Sequence, residues 1–515
     1  MLHKKISRKF YVSFLCFLLV VSNLYKFRLM PLGYLNEPDE TLYFWSWSAL
    51  KRLFNFDVSG FVNSLFSARG RPLEVLIKTI PASFQFVTAK LFHLNFFETK
   101  NMYVLFVFNM LIYVLILYYL YKLALLIFKS KFYALFSILS YSVLINSYAY
   151  LRHIYPYDTS LLFLVYLLYR LVKSYINKEK PGYKQSFFFG VIAAFSFLIY
   201  PTFYMAFFAL FFVFLGIHFN LIKSHLRKFI WLSASYVAGS TITFALTEFL
   251  SRLVHTSYVG NLTNLSQTIT QGDYDESFYY LFKYFYEVEG SIGWAYMLGL
   301  AGFILLMSIY KNKQKNESIL HIIFLSFSLM YFFHTGLGYF GHKMTVYIRQ
   351  MHQFMPILAI FMVYAIWKLK ISDPIKKFSV LLLSLVFFVT YFFQMNAFFE
   401  IAYPKDVYWT YLRHLKKENI HEIFEYEDSW SDLPSRFLDE VDKTNAEDTI
   451  TAVNTCIVFP VDDIRKYHAY MPKKNAVLIY KKPHYLNCKA YQFEGYNTKE
   501  RQVLDSIDLQ IRLYK

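Results

Sequence analysis

MYVLFVFNMLIYVLILYYLY, residues Met102–Tyr121, contains no charged side chain and ends directly before Lys122. A helix of about 20 mostly apolar residues spans the hydrocarbon core of a bilayer. Similar runs recur along a chain of 515 residues that is 56% hydrophobic and 17% charged, with a mean hydropathy of +0.32. A soluble protein has roughly 25% charged residues. The pattern predicts an all-α polytopic membrane protein, and because the runs are continuous it argues against a β-barrel.

Eleven segments have the composition of transmembrane helices. They lie near 10–29, 102–121, 132–150, 160–172, 187–201, 204–220, 229–249, 291–310, 319–338, 354–368 and 378–397. The first run could instead be a cleaved signal peptide. It is long for the apolar region of one and lacks a small-x-small cleavage site before Pro31, so an uncleaved anchor is favoured.

The net charge of +18 would suit a nucleic-acid partner, but the distribution of the charge argues against one. More than half of the acidic residues lie in 400–515, so the basic excess falls in short loops between apolar runs. Lys and Arg in such loops mark the cytoplasmic side. This predicts a cytoplasmic N-terminus and an extracytoplasmic C-terminal segment. The basic loops on the predicted inner side are 1–9, 122–131, 173–184, 221–228, 311–317 and 368–377.

Residues 1–397 form the predicted transmembrane domain, in which 30–101 is a long first outer loop. Within that loop, 41–66 and 74–95 are expected to be helices lying in the membrane interface, with a re-entrant hairpin as the alternative. Residues 398–515 are predicted to form a small extracytoplasmic α/β or α+β domain. Its strands are expected at 450–453, 457–461 and 476–479, and its helices near 405–418 and 432–443. Cys456 and Cys488 of this domain are either disulfide-bonded or two free thiols.

Four polar clusters fall on the predicted outer side, where they can converge on one cavity. A carboxylate can act there as a general base, and Arg or Lys can hold a phosphate leaving group. Each cluster also has a plain structural explanation, such as a solvated loop, a helix cap at Asp158 or a cation reaching lipid phosphate. The candidates are Glu37, Asp39 and Glu40; Arg69 and Arg71; Arg152, His153 and Asp158; and His342, Lys343, Arg349 and His352.

The order of these features resembles that of the GT-C integral-membrane glycosyltransferases. The closest resemblance is to the branch of protein O-mannosyltransferases and aminoarabinose transferases, and it covers roughly residues 10–400. The residues that carry the resemblance are Asp39-Glu40 in the first outer loop, Arg71-Pro72-Leu73 in place of a basic-Pro-Pro-Leu segment, Asp158 at an outer span end, and Lys343, Arg349 and Pro356 in a late outer loop.

The resemblance implies a polyprenyl-phosphate sugar as donor and a glycan, lipid or protein as acceptor. Asp39 would act as the base with Glu40 beside it, and the basic residues would stabilise the departing phosphate, with inversion at the anomeric carbon. Asp158 would share in catalysis, and Glu37 would contact substrate. No cofactor is required, although the three carboxylates leave room for a divalent cation. The same branch favours a bacterial inner membrane.

Three other functions fit parts of the pattern. A transporter or flippase of lipid-linked sugars would need gating at both faces, whereas the polar clusters lie on one. An O-antigen polymerase or ligase usually has its elaborate outer loop late in the chain, whereas here it is the first. A membrane scaffold with 398–515 as a binding module is the third. The sequence contains no P-loop, His-Glu-x-x-His or Cys-x-x-Cys motif that would support nucleotide-driven or zinc chemistry.

Overall fold

The computed structural model describes residues 2–28, 42–67, 70–94, 96, 99–149, 151, 156–179, 182–270, 278–309, 315–342, 348–396 and four later strands. A short 3-10 helix, Pro201–Phe203, ends directly before Tyr204. The helices are α1 (Leu2–Arg28), α2 (Tyr43–Phe54), α3 (Val58–Phe66), α4 (Pro72–Phe92), α5 (Thr99–Phe128), α6 (Lys131–Ser142), α7 (Asn146–Ala149), α8 (Tyr157–Ile176), α9 (Tyr183–Ile199), α10 (Tyr204–His218), α11 (Asn220–Ser224), α12 (Leu226–Leu253), α13 (Tyr258–Thr270), α14 (Tyr280–Glu287), α15 (Gly290–Ile309), α16 (Lys315–Gly341), α17 (Ile348–Met351), α18 (Met355–Lys368) and α19 (Asp373–Asn396).

The apolar runs fold into helices of membrane-spanning length. Among the described helices, nine are long and apolar enough to cross a bilayer: α1, α4, α5, α8, α10, α12, α15, α16 and α19. The helices α9 and α18 are apolar but shorter. Each predicted span coincides with a described helix or helix pair, which confirms the predicted all-α polytopic architecture. The chain is a multi-pass membrane protein.

The predicted first outer loop differs in detail from the structure. The single helix expected over 41–66 is two helices, because the chain turns at Phe56 with a positive φ of 55° and Asp57 caps α3 by accepting from the Gly60 amide at 2.8 Å. The helix expected over 74–95 is α4, which begins at Pro72, contains Pro81 and ends at Phe92. Its length and composition also suit a membrane span.

The span predicted over 132–150 is broken between α6 and α7. Ser and Asn side chains compete with the helix ladder for backbone groups, which favours such a break. The Ser147 hydroxyl donates to the carbonyl oxygens of Leu144 and Ser142, at 2.7 and 3.1 Å. The break leaves the turn at residues 143–146 without continuous helical hydrogen bonding, and this turn is central to the site described below.

The chain divides into two compact units, of which the first contains Met1–Arg28, Tyr43–Ala82 and Val107–Phe392. In this unit α6 packs against α1 and α18, α15 packs against α18, and α9 packs along α12. The contact between α9 and α12 is close at Gly190, whose carbonyl accepts from the Ser240 hydroxyl at 2.9 Å. These packed helices bury large side chains such as Tyr113, Tyr141 and Tyr236.

The second unit contains Leu29–Leu42, Ser83–Phe106 and Phe393–Lys515. Its described strands form one mixed sheet in the order β1-β2-β4-β3, in which β1 and β2 are parallel and the other pairs are antiparallel. The strands at 450–453 and 476–479 were predicted. The predicted strand at 457–461, both predicted helices, Cys456 and Cys488 lie outside the described residues. The strands are β1 (Thr451–Val453), β2 (Ala476–Lys481), β3 (Glu500–Asp505) and β4 (Leu509–Tyr514).

Candidate functional site

The structure describes only part of the predicted site. His342 follows α16 and is exposed, with a positive φ of 49°. Arg349 lies in α17, but its side chain is not among those described. The side chains of Arg71, Asp158 and His352 are described and lie in the first unit. The predicted residues outside the described part of the chain are Glu37, Asp39, Glu40, Arg69, Arg152, His153 and Lys343.

Asp158 and His352, which are 194 residues apart in sequence, meet in the interior. Asp158 lies in the first turn of α8, two residues after Pro156, and its side chain is 7% exposed. His352 follows α17 and is fully buried. The imidazole Nε2 lies 2.9 Å from the Asp158 Oδ1, and Nδ1 lies 2.7 Å from the Asn146 Oδ1. Three elements, α7, α8 and the turn after α17, therefore join in one hydrogen-bonded chain.

The acceptor atoms indicate where the protons lie in the hydrogen-bonded series Asn146, His352 and Asp158. The Asn146 oxygen can only accept, so the Nδ1–H of His352 donates to it. The contact between Nε2 and Asp158 then needs a second proton, carried either by the imidazole or by the carboxyl group. One proton therefore bridges the two side chains. The contact engages one carboxylate oxygen of Asp158 and leaves Oδ2 outside it.

Glu289, between α14 and α15, holds the turn that precedes Asn146. It is fully buried, and its two carboxylate oxygens accept from the Ile145 and Asn146 amides at 2.7 and 2.9 Å. The Tyr284 hydroxyl also donates to Glu289 Oε1. Burial raises the pKa of Glu289 to about 7, although these hydrogen bonds and the Lys26 charge lower it. The Glu289 carboxylate thus accepts hydrogen bonds from the two amides that lack a helical acceptor at the break between α6 and α7.

Lys26 places a buried cation beside the same turn. It lies near the end of α1, is fully buried, and donates to the Ser147 hydroxyl at 2.8 Å and to the Tyr113 hydroxyl at 2.7 Å. Its charge acts favourably on both Asp158 and Glu289. A buried charge is costly unless it has partners, and this cation has both hydroxyl acceptors and nearby carboxylates. The cluster therefore balances acidic and basic groups inside the helical bundle.

Arg71 lies at the start of α4, beside a second ion pair. The Lys78 ammonium contacts the Glu74 carboxylate at 2.6 Å, and both side chains are buried. The Arg71 guanidinium is 4.0 Å from Glu74 and lies over the Tyr200 ring, 4.8 Å from its centroid. Tyr200 in turn packs against Tyr157, with ring centroids 4.6 Å apart. Since Tyr157 directly precedes Asp158, aromatic packing brings Arg71 to the same end of α8.

The arrangement combines functions that group transfer needs. Asp158 and His352 can hold or exchange a proton, and Arg71 carries a delocalised cation suited to phosphate. Among the described residues no group of three His, Cys, Asp or Glu side chains could hold a metal ion. Glu37, Asp39 and Glu40 lie outside the described residues. A divalent cation at these carboxylates stays a prediction from the sequence.

Sequence reasoning did not identify Lys26, Asn146 or Glu289. A signal existed for two of them. Lys26 falls inside the first predicted span and Glu289 lies two residues before another, and ionisable residues at such positions usually face the interior of the bundle. Asn146 carries no comparable signal, because a single Asn in an apolar run has many uses.

Comparison with solved structures supports the architecture. The chain matches a crystal structure of ArnT from Cupriavidus metallidurans bound to undecaprenyl phosphate, with a TM-score of 0.51 and 9% identity, over 97% of this chain and 98% of that one. It also matches the Archaeoglobus fulgidus oligosaccharyltransferase in complex with Zn and sulfate, with a TM-score of 0.42 and 12% identity, over 74% of this chain and 52% of that one. The sequence matches no protein-family model and no curated protein.

At 9% identity the match to ArnT concerns the fold alone. The match extends over nearly the full length of both chains. The predicted resemblance to the GT-C membrane glycosyltransferases is therefore confirmed at the level of the fold.

Proposed function

We propose that this protein is a membrane glycosyltransferase that moves a sugar from a polyprenyl-phosphate donor to an acceptor outside the cytoplasm. The observation that carries the proposal is the fold match to ArnT, a protein whose structure holds undecaprenyl phosphate. The helical bundle, rich in exposed aliphatic and aromatic side chains, is a suitable environment for a polyprenyl tail. Such a donor would lie in the bilayer with its phosphate at the membrane surface.

Arg71 is the described residue best suited to the donor phosphate. A guanidinium can form two parallel hydrogen bonds to phosphate oxygens and keeps its charge at all working pH values. The Tyr200 ring supports the guanidinium from one side. Lys78 neutralises Glu74, so the Glu74 carboxylate competes less strongly for Arg71. In the proposed reaction Arg71 stabilises the charge that develops on the departing phosphate.

The chemical step is a displacement at the anomeric carbon of the donor sugar. The acceptor nucleophile forms a bond to that carbon while the bond from carbon to the phosphate oxygen breaks, and polyprenyl phosphate leaves with the bonding electrons. The acceptor proton passes to a carboxylate, which the resemblance assigns to Asp39. Attack opposite the leaving group inverts the anomeric configuration. Asp158, with His352 behind it, would orient or charge-balance the reacting groups.

The proposed location is a bacterial inner membrane, with the N-terminus in the cytoplasm and residues 398–515 outside. The distribution of basic loops supports this orientation. The acceptor is a glycan, a lipid or a protein, and no cofactor is assigned.

The proposal is tested by identifying the lipid that the protein binds and consumes. The full chain is purified in mild detergent, and its co-purifying lipids are identified by mass spectrometry. A polyprenyl-phosphate sugar is expected, and incubation with acceptor-containing membrane extract should convert it to free polyprenyl phosphate. Transport without chemistry would leave the donor intact in detergent, which would refute the proposal and favour a flippase.

Two Arg variants provide a matched comparison. Arg71→Ala should weaken binding of added undecaprenyl phosphate, because the guanidinium is lost from the phosphate site. Arg252→Ala should leave that binding unchanged, since Arg252 is an exposed partner of Glu248 on α12. Equal binding by the two variants would contradict the assignment of Arg71.

A further inference from the structure

We propose that Glu289 is a positioning residue that holds Asp158 in its working orientation through the turn at Ile145 and Asn146 and through His352. This inference rests on the proposed function only in giving Asp158 a part in the reaction. The physical link itself is independent of which reaction the protein carries out.

The turn between α6 and α7 depends on Glu289 for its hydrogen bonds. The backbone amides before and after the turn have acceptors nearby in the chain. The Val143 amide donates to the Leu139 carbonyl and the Ser147 amide donates to the Leu144 carbonyl. The Ile145 and Asn146 amides instead donate to the two oxygens of Glu289, more than 140 residues away. Because each oxygen takes one amide, the carboxylate fixes both the position and the tilt of the turn.

The turn transmits this constraint through one side chain. Asn146 is the residue whose amide Glu289 holds, and its side-chain oxygen accepts from His352 Nδ1 at 2.7 Å. The other ring nitrogen of His352 contacts Asp158 at 2.9 Å. Since His352 is fully buried and both of its nitrogens are engaged, a shift of Asn146 changes the ring orientation or its tautomer. The carboxylate of Asp158 then loses its fixed partner.

Tyr284 and Lys26 lie beside Glu289 and favour its ionised form. Tyr284 on α14 donates to it, and Lys26 on α1 contributes a positive charge. Lys26 also donates to Ser147, the residue after Asn146, so α1 and Glu289 hold the same turn from two directions. Tyr296 on α15 lies close enough to Glu289 to interact electrostatically. A simple packing role would not require a carboxylate with this set of donors.

The test is made on the full-length protein labelled with nitrogen-15 at histidine. Glu289→Gln keeps the side-chain shape but replaces one acceptor oxygen by an NH₂ donor, which cannot serve the second amide. The His352 ring resonances, assigned by their loss in His352→Gln, are expected to shift and to show a larger fraction of the tautomer without a proton on Nδ1. In the transfer assay kcat should fall roughly 10- to 100-fold with the donor KM nearly unchanged.

Glu248→Gln is the matched control. Glu248 is also a carboxylate that accepts a backbone amide of another helix, from Val259 at 2.8 Å, and its other described partners include Arg252 and Ser257 but not His352. It should leave the His352 resonances and kcat unchanged. If Glu289→Gln fails to fold, Tyr284→Phe removes one donor to Glu289 and should shift the same resonances by a smaller amount.

The outcomes separate this inference from the proposed function. Unshifted His352 resonances in a folded Glu289 or Tyr284 variant would overturn the positioning link. Shifted resonances in a protein that transfers no sugar would preserve the link and refute the glycosyltransferase assignment. Shifted resonances with an unchanged kcat would refute the part given to Asp158.

Discussion

Replacing Gly190 by Ala should separate α9 from α12. A Cβ at Gly190 would lie 1.9 Å from the carbonyl oxygen of Tyr236, a backbone atom that cannot rotate away. An ordinary contact begins at 3.4 Å, so in a densely packed interior the two helices must move apart by about 1.5 Å. The reciprocal contact at Gly239, 2.1 Å from the Phe187 carbonyl oxygen, shows that both helices approach through backbone.

The cost can be assembled from three effects. Overpacking a closely packed interface costs about 1–3 kcal/mol. Loss of the hydrogen bond from Ser240 to the Gly190 carbonyl costs about 1 kcal/mol more. The higher helix propensity of Ala compared with Gly stabilises the variant by about 1 kcal/mol. The net destabilisation is about 2 kcal/mol, which for a chain of this length corresponds to a fall of roughly 2 °C in the unfolding temperature.

The assay is thermal unfolding of purified protein in one detergent, with Gly336→Ala as the control. Gly336 also lies inside a long helix, α16, but the nearest atom to its Cβ would be 3.9 Å away, on the Phe278 ring. This control should be as stable as the wild type or slightly more stable. Equal unfolding temperatures for the two variants would refute the close approach of α9 and α12.

Three further predictions concern buried charge and topology. Lys78→Met leaves the Glu74 carboxylate buried with only the more distant Arg71 beside it, and should lower the free energy of unfolding by about 3 kcal/mol. Combining Glu74→Leu with Lys78→Met should recover most of that stability. A double variant that is no more stable than Lys78→Met would contradict the pairing. Burial raises the pKa of Glu289 from 4.5 to about 7, so its contribution to stability is complete below pH 4.5 and is lost as the pH rises through about 7. The unfolding temperature of the wild type should therefore fall over this range more steeply than that of Glu289→Gln, and parallel curves would refute the shift. A reporter fused after Lys515 should be active only outside the cytoplasm, and cytoplasmic activity would refute the predicted topology.

The sequence allowed the helical architecture to be predicted because apolar length alone determines which segments can span a bilayer. Pro201 similarly marks the end of α9, since it cannot donate to the helix ladder. The break between α6 and α7 was not predicted, because residues 132–150 are continuously apolar apart from small polar side chains. The break depends on Glu289, whose contact with the turn joins positions more than 140 residues apart.

The sequence indicated which residues belong to the candidate site, but it did not indicate which of them form hydrogen bonds with one another. Asp158 and His352 were both candidates, because each falls at the predicted outer end of a span. That they share a hydrogen bond depends on how α8 packs near α17, which no local pattern specifies. Asn146 lies within a predicted span and offered no chemical signal. The roles of Asp39 and Glu40 remain predictions that rest on the family resemblance.

The central claim is that a carboxylate in the first outer loop drives sugar transfer from a polyprenyl-phosphate donor. Its most direct test compares purified wild-type protein with Asp39→Asn, using the co-purifying donor and measuring the release of free polyprenyl phosphate in the presence of acceptor. Loss of a general base predicts a rate lower by on the order of 100-fold or more, with donor binding retained. Release by Asp39→Asn at the wild-type rate would contradict the account.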